Sequence, residues 1–214
     1  PVKEGFYGPG QHVEGCSAFF SLMAMPRLAG SLEKVTTQTP YAFVKLCGHE
    51  MLTTLREAHE LGIVHRDVSD GNIMMGDDGS FFLVDWGLAA RYIKQDGTPL
   101  ARMQRYDDGT FNGTAEFVSQ SVLEGGANTP RDDLESLVLT LINVVKPLPW
   151  KHIRSSRNAT RSTDAQMERL LDLRRSMRSP SEICAGMPKS FERLLKTCAP
   201  SLARGMSCHA LVIK

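Results

Sequence analysis

The longest regular pattern in the chain is an apolar face that recurs at helical spacing and consists of Phe43, Val44, Cys47, Met51, Leu55 and Ala58. Before it, Thr39-Pro40 predicts an N-cap followed by proline at the first helical position. After it, Gly62 predicts the end of the helix. The segment that begins at His65 is therefore expected to be a loop carried by a rigid amphipathic helix.

Two short apolar stretches, residues 73–75 and 81–84, flank the turn sequence Gly76-Asp77-Asp78-Gly79. This pattern predicts two antiparallel strands joined by a tight turn. Asn72 directly precedes the first strand, and Asp85 directly follows the second. Because the two strands run in opposite directions, we expect Asn72 and Asp85 to lie at one edge of the hairpin.

The second half of the chain predicts a helical domain. Asp132 and Asp133 open a segment that is apolar almost all round and continues to Val145, so we expect it to be the buried centre of this domain. Further helices are predicted at residues 167–177 and 189–198. The remaining expectations are a buried strand, a linker and a long loop, at residues 16–25, 26–31 and 88–114.

Composition narrows the class of protein. The 214 residues are 42% hydrophobic and 23% charged, which is ordinary for a globular protein, and no stretch is long and apolar enough to span a membrane. A net charge of +1 makes no electrostatic case for a nucleic-acid partner. The five cysteines are scattered without a C-x-x-C pair, so we predict neither disulfides nor a zinc site, and an intracellular location in the cytoplasm or nucleus.

Asp67, Asn72 and Asp85 are the candidate chemical groups. An Asp, an Asn five residues later and an Asp at the end of a strand supply one base and two hard oxygen ligands, which suit phosphoryl transfer from a magnesium nucleotide. A calcium loop is a poorer interpretation, because Gly71 comes one position early and no Glu closes the loop. His49 and His59 do not share a helix face, so we expect them at the surface or at a helix end rather than on a metal.

With these elements placed, His65-Arg66-Asp67 and Asn72 resemble the H-R-D-x-x-x-x-N catalytic loop of protein kinases. Asp85-Trp86-Gly87 resembles their D-F-G motif. Within the kinases, the chain resembles the casein kinase 1 superfamily, which includes the vaccinia-related kinases. The matching segments are residues 87–92, 112–119, 131–137, 148–150 and 181–188, and the resemblance runs from about Cys16 to about Leu202.

The resemblance implies an α+β, mainly α fold, namely the helical C-lobe of a protein kinase with a short β-hairpin and a residual N-lobe strand. Residues 1–28 would be the residual strand and the hinge. Residues 29–214 would be the C-lobe, with the activation segment at about residues 85–120. The chain begins with Pro1 rather than Met, and we expect a truncated form whose N-lobe is incomplete.

The resemblance also implies residue roles. Asp67 would orient or deprotonate the substrate hydroxyl, while Asn72 and Asp85 would hold the Mg²⁺ that bridges the phosphates of ATP. Asp133 would hydrogen-bond the backbone of the catalytic loop. The other expected contributors are the supporting residues His65, Arg66 and Thr114, and the adenine contacts Met25, Pro26, Leu28, Met74 and Val84.

Two departures from the kinase pattern bear on activity. Ser69 stands where serine kinases carry a lysine that neutralises the transferring phosphoryl group. The glycine-rich loop, the strand lysine and its partner glutamate have no match in the residues before Cys16. Ser69 also weakens the expectation of Ser/Thr specificity.

The sequence is therefore compatible with three functions. The first is a protein kinase that transfers phosphate from Mg-ATP to Ser or Thr of a protein substrate. The second is a pseudokinase-like binding or scaffold protein, motivated by Ser69 and the missing lysine. The third is a small-molecule phosphotransferase of the aminoglycoside-kinase type, against which Gly113-Thr114 and residues 131–136 argue. The sequence indicates neither the identity of the substrate nor the oligomeric state.

Overall fold

The computed structural model describes residues 26–35, 39–94, 98, 113–151, 164–176 and 179–198. Within these residues the fold is mainly helical with two small antiparallel sheets, which confirms the predicted class. The helices are α1 Tyr41–Glu60, α2 Gln120–Leu123, α3 Pro130–Val145, α4 Asp164–Ser176, α5 Pro180–Ile183 and α6 Lys189–Thr197. The strands are β1 Gly30–Ser31, β2 Ile63–Val64, β3 Ile73–Met75, β4 Phe81–Leu83 and β5 Ala90–Arg91.

Helix α3 forms the centre of the domain, as its apolar sequence predicts. Every residue from Asp132 to Val144 is buried. At its start the Asp132 carboxylate accepts hydrogen bonds from the Thr129 backbone N–H at 2.7 Å and from the Thr129 hydroxyl at 2.6 Å, which closes the first turn. The strongly apolar interior of this helix is therefore explained by its position in the core.

Helix α1 packs against α3 and leads to the loop that begins at His65. It begins at Tyr41, and its N-cap is Pro40 rather than the predicted Thr39. The two helices come close at Gly48, where an added Cβ would lie 3.0 Å from Cδ1 of Leu141. After the helix, Gly62 adopts a positive φ of 76°, so the predicted glycine stop is confirmed.

The predicted hairpin is present, because β3 and β4 pair antiparallel with Ile73 opposite Leu83. A third strand, β1, extends this hairpin into a three-stranded sheet and corrects one prediction. Residues 30–31 were expected to be part of a linker, but they pair with β3 so that Ser31 lies opposite Met74. The free edge of β3 explains this, since unpaired backbone groups at a sheet edge take up a neighbouring extended segment.

Residues 88–114 were predicted to be loop, and their described part is more ordered than that. Trp86–Leu88 forms a 3-10 turn, and β5 pairs with β2, with Ala90 opposite Val64. The predicted strand at residues 16–25 lies outside the described residues. Among the helices of the described ranges, none has the length and apolar character needed to cross a membrane.

Candidate active site

The carboxylate of Asp67 is held on both of its oxygens. Oδ1 accepts hydrogen bonds from the backbone N–H of Thr114 at 2.7 Å and from its hydroxyl at 2.8 Å. Oδ2 accepts from Nδ2 of Asn72 at 2.9 Å, and the same nitrogen also donates to the Asp67 carbonyl at 2.9 Å. The side chain is therefore fixed in one orientation.

Gly113 allows Thr114 to reach Asp67. Its φ is 107°, and an added Cβ would lie 2.5 Å from the backbone carbonyl oxygen of Arg66. Arg66 itself has a φ of 73°, which is unusual for a residue with a side chain. Two backbones thus approach closely at this point, and only glycine fits on one side of the contact.

Asn72 and Asp85 lie at one edge of the hairpin. The N–H of Val84 donates to the Asn72 carbonyl at 2.9 Å, which places Asp85 next to Asn72 across the end of the ladder. Asp85 is exposed and left-handed, with a φ of 59°, and its Oδ1 accepts from the Gly87 N–H at 3.3 Å.

This donor set fits Mg²⁺. The Asn72 side chain donates its hydrogen bonds to Asp67 through Nδ2, so the amide oxygen Oδ1 is the atom that can serve as a ligand. Asp85 offers a carboxylate in an exposed position. Mg²⁺ is commonly bound by one or two protein oxygens together with nucleotide phosphates and water, and these two residues match that pattern.

Asp133 anchors the loop at His65 and Arg66 to the core. Its carboxylate is 2% exposed and accepts three hydrogen bonds. Oδ2 accepts from the His65 N–H at 2.8 Å, and Oδ1 accepts from the Arg66 N–H at 2.9 Å. The third donor is Nε2 of His59, 2.8 Å from Oδ2. The loop backbone is thus anchored to the buried helix α3.

His59 was predicted at the surface or at a helix end, and the second alternative is correct, because His59 lies in the last turn of α1. It is not at the surface. Its side chain is only 2% exposed and contacts Asp133 directly. The missed signal is periodicity: His59 follows Met51 and Leu55 at intervals of four on the apolar face of α1. A polar residue on such a face predicts a buried partner.

His65 supports the loop from inside. It is fully buried, its Nδ1 accepts from the Asp67 N–H at 3.2 Å, and its Nε2 lies 3.1 Å from the Val84 carbonyl oxygen. One donor and one acceptor are what a neutral imidazole provides. Burial lowers the pKa of His65, and the Asp133 carboxylate opposes that shift. Trp86 packs edge-on against this ring with centroids 4.6 Å apart.

The predicted adenine contacts are placed only in part. The strand register puts Met74 and Phe82 on the hairpin face opposite the core residues Ile73 and Leu83, and the half-buried Val84 follows directly after β4. Leu28 is half-buried and Pro26 is exposed, and Met25 lies outside the described residues. An apolar face next to Asn72 and Asp85 is suited to packing against an adenine ring. The adenine contacts themselves stay predictions.

Ser69 occupies the position where a lysine would bring positive charge. Its side chain is 4% exposed, and a hydroxyl carries no charge. The described part of the site therefore combines the fixed carboxylate of Asp67 and the side-chain oxygens of Asn72 and Asp85 with an uncharged residue two positions after Asp67.

Comparison with known proteins gives a consistent result. The protein kinase domain family matches residues 18–204. The chain is 30% identical over 204 residues, 90% of its length, to Casein kinase 1-like protein HD16 of Oryza sativa subsp. japonica, of which it covers 27%. It is 31% identical over 135 residues, 61% of its length, to Probable casein kinase I homolog of Encephalitozoon cuniculi, of which it covers 42%.

A third relative is Casein kinase I homolog 3 of Schizosaccharomyces pombe, with 25% identity over 193 residues, which are 86% of this chain and 42% of that protein. The chain thus spans less than half the length of these relatives. The family match covers most of the chain and includes both the catalytic loop and the residues that anchor it. The chain therefore belongs to the protein kinase family, within the casein kinase 1 superfamily.

Proposed function

We propose that the protein transfers the γ-phosphate of Mg-ATP to a Ser or Thr hydroxyl of a protein substrate. The observation that carries this proposal is the Asp67 carboxylate, whose two oxygens are fixed by Asn72 and Thr114. Such a carboxylate can accept the proton of a substrate hydroxyl and align its oxygen with the phosphorus. Family membership and the casein kinase relatives support the reaction class.

Asn72 and Asp85 would hold the magnesium ion. An ion held there would supply positive charge that offsets the charge of the nucleotide phosphates. The protein's own contribution is to keep the two oxygen ligands at one hairpin edge, through the Val84–Asn72 backbone bond and the left-handed turn at Asp85. The apolar side chains of Met74 and Val84 would contact adenine.

Ser69 supports a second candidate, a binding or scaffold protein without turnover. The absence of one electrostatic contact to the transferring group typically costs about 2–4 kcal/mol of transition-state stabilisation. Such a loss slows the reaction by about 30-fold to about 700-fold, since each 1.4 kcal/mol is one factor of ten. The fixed Asp67 argues for catalysis, and the neutral Ser69 argues for a slow enzyme or a scaffold.

The test compares Asp67→Asn and Asp85→Ala with the parent protein, using radiolabelled ATP and dephosphorylated casein. We expect Asp67→Asn to lose transfer while keeping Mg-ATP affinity, and Asp85→Ala to lose both. Asp77→Ala is the matched control, because Asp77 is an exposed carboxylate in the hairpin turn. EDTA should stop transfer, and acid hydrolysis of the product should yield phosphoserine or phosphothreonine.

Unchanged transfer by Asp67→Asn would overturn the kinase proposal. A parent protein that binds Mg-ATP without any transfer would favour the scaffold. The third function, phosphorylation of a small molecule, would appear as transfer to an aminoglycoside but not to casein.

We also propose the division of the chain into a residual N-lobe strand and hinge at residues 1–28, and a C-lobe at residues 29–214 with an activation segment at about 85–120. Limited proteolysis tests these boundaries, because exposed connections are cut first. We further propose an intracellular location, which the buried free thiols of Cys47 and Cys184 support.

A further inference from the structure

Arg174 on α4 is a buried arginine that contacts the stretch of chain following Thr114. One of its terminal nitrogens donates a hydrogen bond to the backbone carbonyl of Val118. The other lies 3.4 Å from Oε1 of Glu135 on α3. The guanidinium carbon also lies 4.9 Å from the centroid of the Trp150 ring, in a cation–π arrangement.

Glu135 and Trp150, which contact Arg174, also hydrogen-bond this stretch. Oε1 of Glu135 accepts a hydrogen bond from the Gln120 backbone N–H at 2.9 Å. The indole nitrogen of Trp150 donates to the Glu116 carbonyl at 2.8 Å. Residues 116–120 are therefore held through three backbone groups by side chains from α3, α4 and the turn after α3.

Stability alone does not account for this arrangement. Burial lowers the pKa of Arg174 to about 10, so the guanidinium is still charged at neutral pH. Burial likewise raises the pKa of Glu135, and Arg174 opposes that shift. A buried ion pair is costly to desolvate and often contributes no more than packed apolar residues would. Its distinctive property is geometric, because a planar guanidinium fixes two acceptors at once.

The held stretch runs directly from the catalytic carboxylate. Thr114 bonds Asp67, and residues 115, 117 and 118 are buried between that contact and the one to Arg174. A protein substrate that presents its hydroxyl to Asp67 must pass beside this part of the chain. The nucleotide side of the site, at Met74 and Asp85, lies on a different element.

We propose that Arg174 and Glu135 are positioning residues for the protein substrate, which fix residues 116–120 beside Asp67. This inference rests on the proposed kinase function. It assigns the ion pair to the protein-substrate side of the site. Loss of the Arg174–Glu135 pair is then expected to weaken binding of the protein substrate and to leave Mg-ATP binding intact.

The experiment compares Arg174→Met, Arg174→Lys and Glu135→Gln with the parent protein. Methionine keeps much of the apolar stem, lysine keeps the charge but offers a single nitrogen, and glutamine keeps an acceptor for Gln120. Arg169→Met is the matched control, because Arg169 is an exposed arginine on the same helix. The readouts are the KM for dephosphorylated casein, the affinity for Mg-ATP, and amide hydrogen exchange at residues 115–123.

We expect Arg174→Met to raise the KM for casein about tenfold while the affinity for Mg-ATP changes by less than about twofold. Exchange at residues 115–123 should accelerate, and exchange within α1 should not. Arg174→Lys and Glu135→Gln should give intermediate values, which also keeps the test valid if the methionine variant does not fold. Arg169→Met should match the parent.

Two results would overturn the inference: unchanged exchange and KM in folded Arg174 variants, or a parallel loss of Mg-ATP affinity. If the parent transfers no phosphate, the proposed function fails by itself. The exchange measurement needs no turnover, so it still decides whether Arg174 and Glu135 hold residues 116–120.

Discussion

The hydrogen bond between His59 and Asp133 tests how the catalytic loop is held. Replacing His59 with Leu removes one of the three donors to the Asp133 carboxylate and leaves an apolar side chain in a buried position. The backbone N–H groups of His65 and Arg66 still bond Asp133, so the charge is not left alone. The expected effect is therefore the loss of one hydrogen bond to a charged group rather than the collapse of the site.

The magnitude follows from the geometry. The bond is 2.8 Å long, and both side chains are 2% exposed, so water cannot replace the lost donor. A hydrogen bond to a charged group contributes about 1.5–3 kcal/mol. We expect the free energy of unfolding to fall by about 2 kcal/mol, which lowers the melting temperature by about 4–8 °C in a chain of this size.

His59→Gln is the matched variant, because the glutamine side-chain amide keeps an N–H donor at a similar distance from the backbone. We expect it to retain most of the stability that His59→Leu loses. Tyr92→Phe is a second control: the Tyr92 hydroxyl donates to the His59 carbonyl at 2.7 Å, and its loss leaves Asp133 untouched. Thermal unfolding and kcat are measured together. Equal melting temperatures for the Leu and Gln variants would refute the reasoning.

Two further predictions concern backbone fit and pH. Gly113→Ala places a Cβ 2.5 Å from the Arg66 carbonyl oxygen, and we expect it to lower the free energy of unfolding by about 1–3 kcal/mol and to lower kcat. Gly125→Ala is the control, because Gly125 also has a positive φ but its added Cβ would meet open space, so kcat should not change. Burial raises the pKa of Asp70, so its contribution to stability is lost as pH rises through that pKa. Asp70→Asn, whose oxygen can still accept from Asn143, should raise the melting temperature near pH 7 but not near pH 3; equal effects would contradict this.

The sequence by itself determined the elements that local physics specifies. Helix α1, the buried helix α3 and the hairpin follow from apolar periods of about four and two residues and from turn glycines. The spacing of Asp67, Asn72 and Asp85 likewise predicts a shared site, because a short loop and a hairpin limit how far apart these three residues can lie. Local patterns of this kind act over less than 20 residues.

Only the tertiary structure decided which distant polar groups meet. His59 and Asp133 are 74 residues apart, and Arg174 and Glu135 are 39 apart, so no local period indicates these pairs. A polar side chain on an apolar face needs a buried partner, since burying it alone would cost free energy, but only the packing of another helix decides which group that partner is. The same holds for β1, whose pairing depends on a free edge of β3. Folding creates these contacts, and they hold the catalytic loop in place.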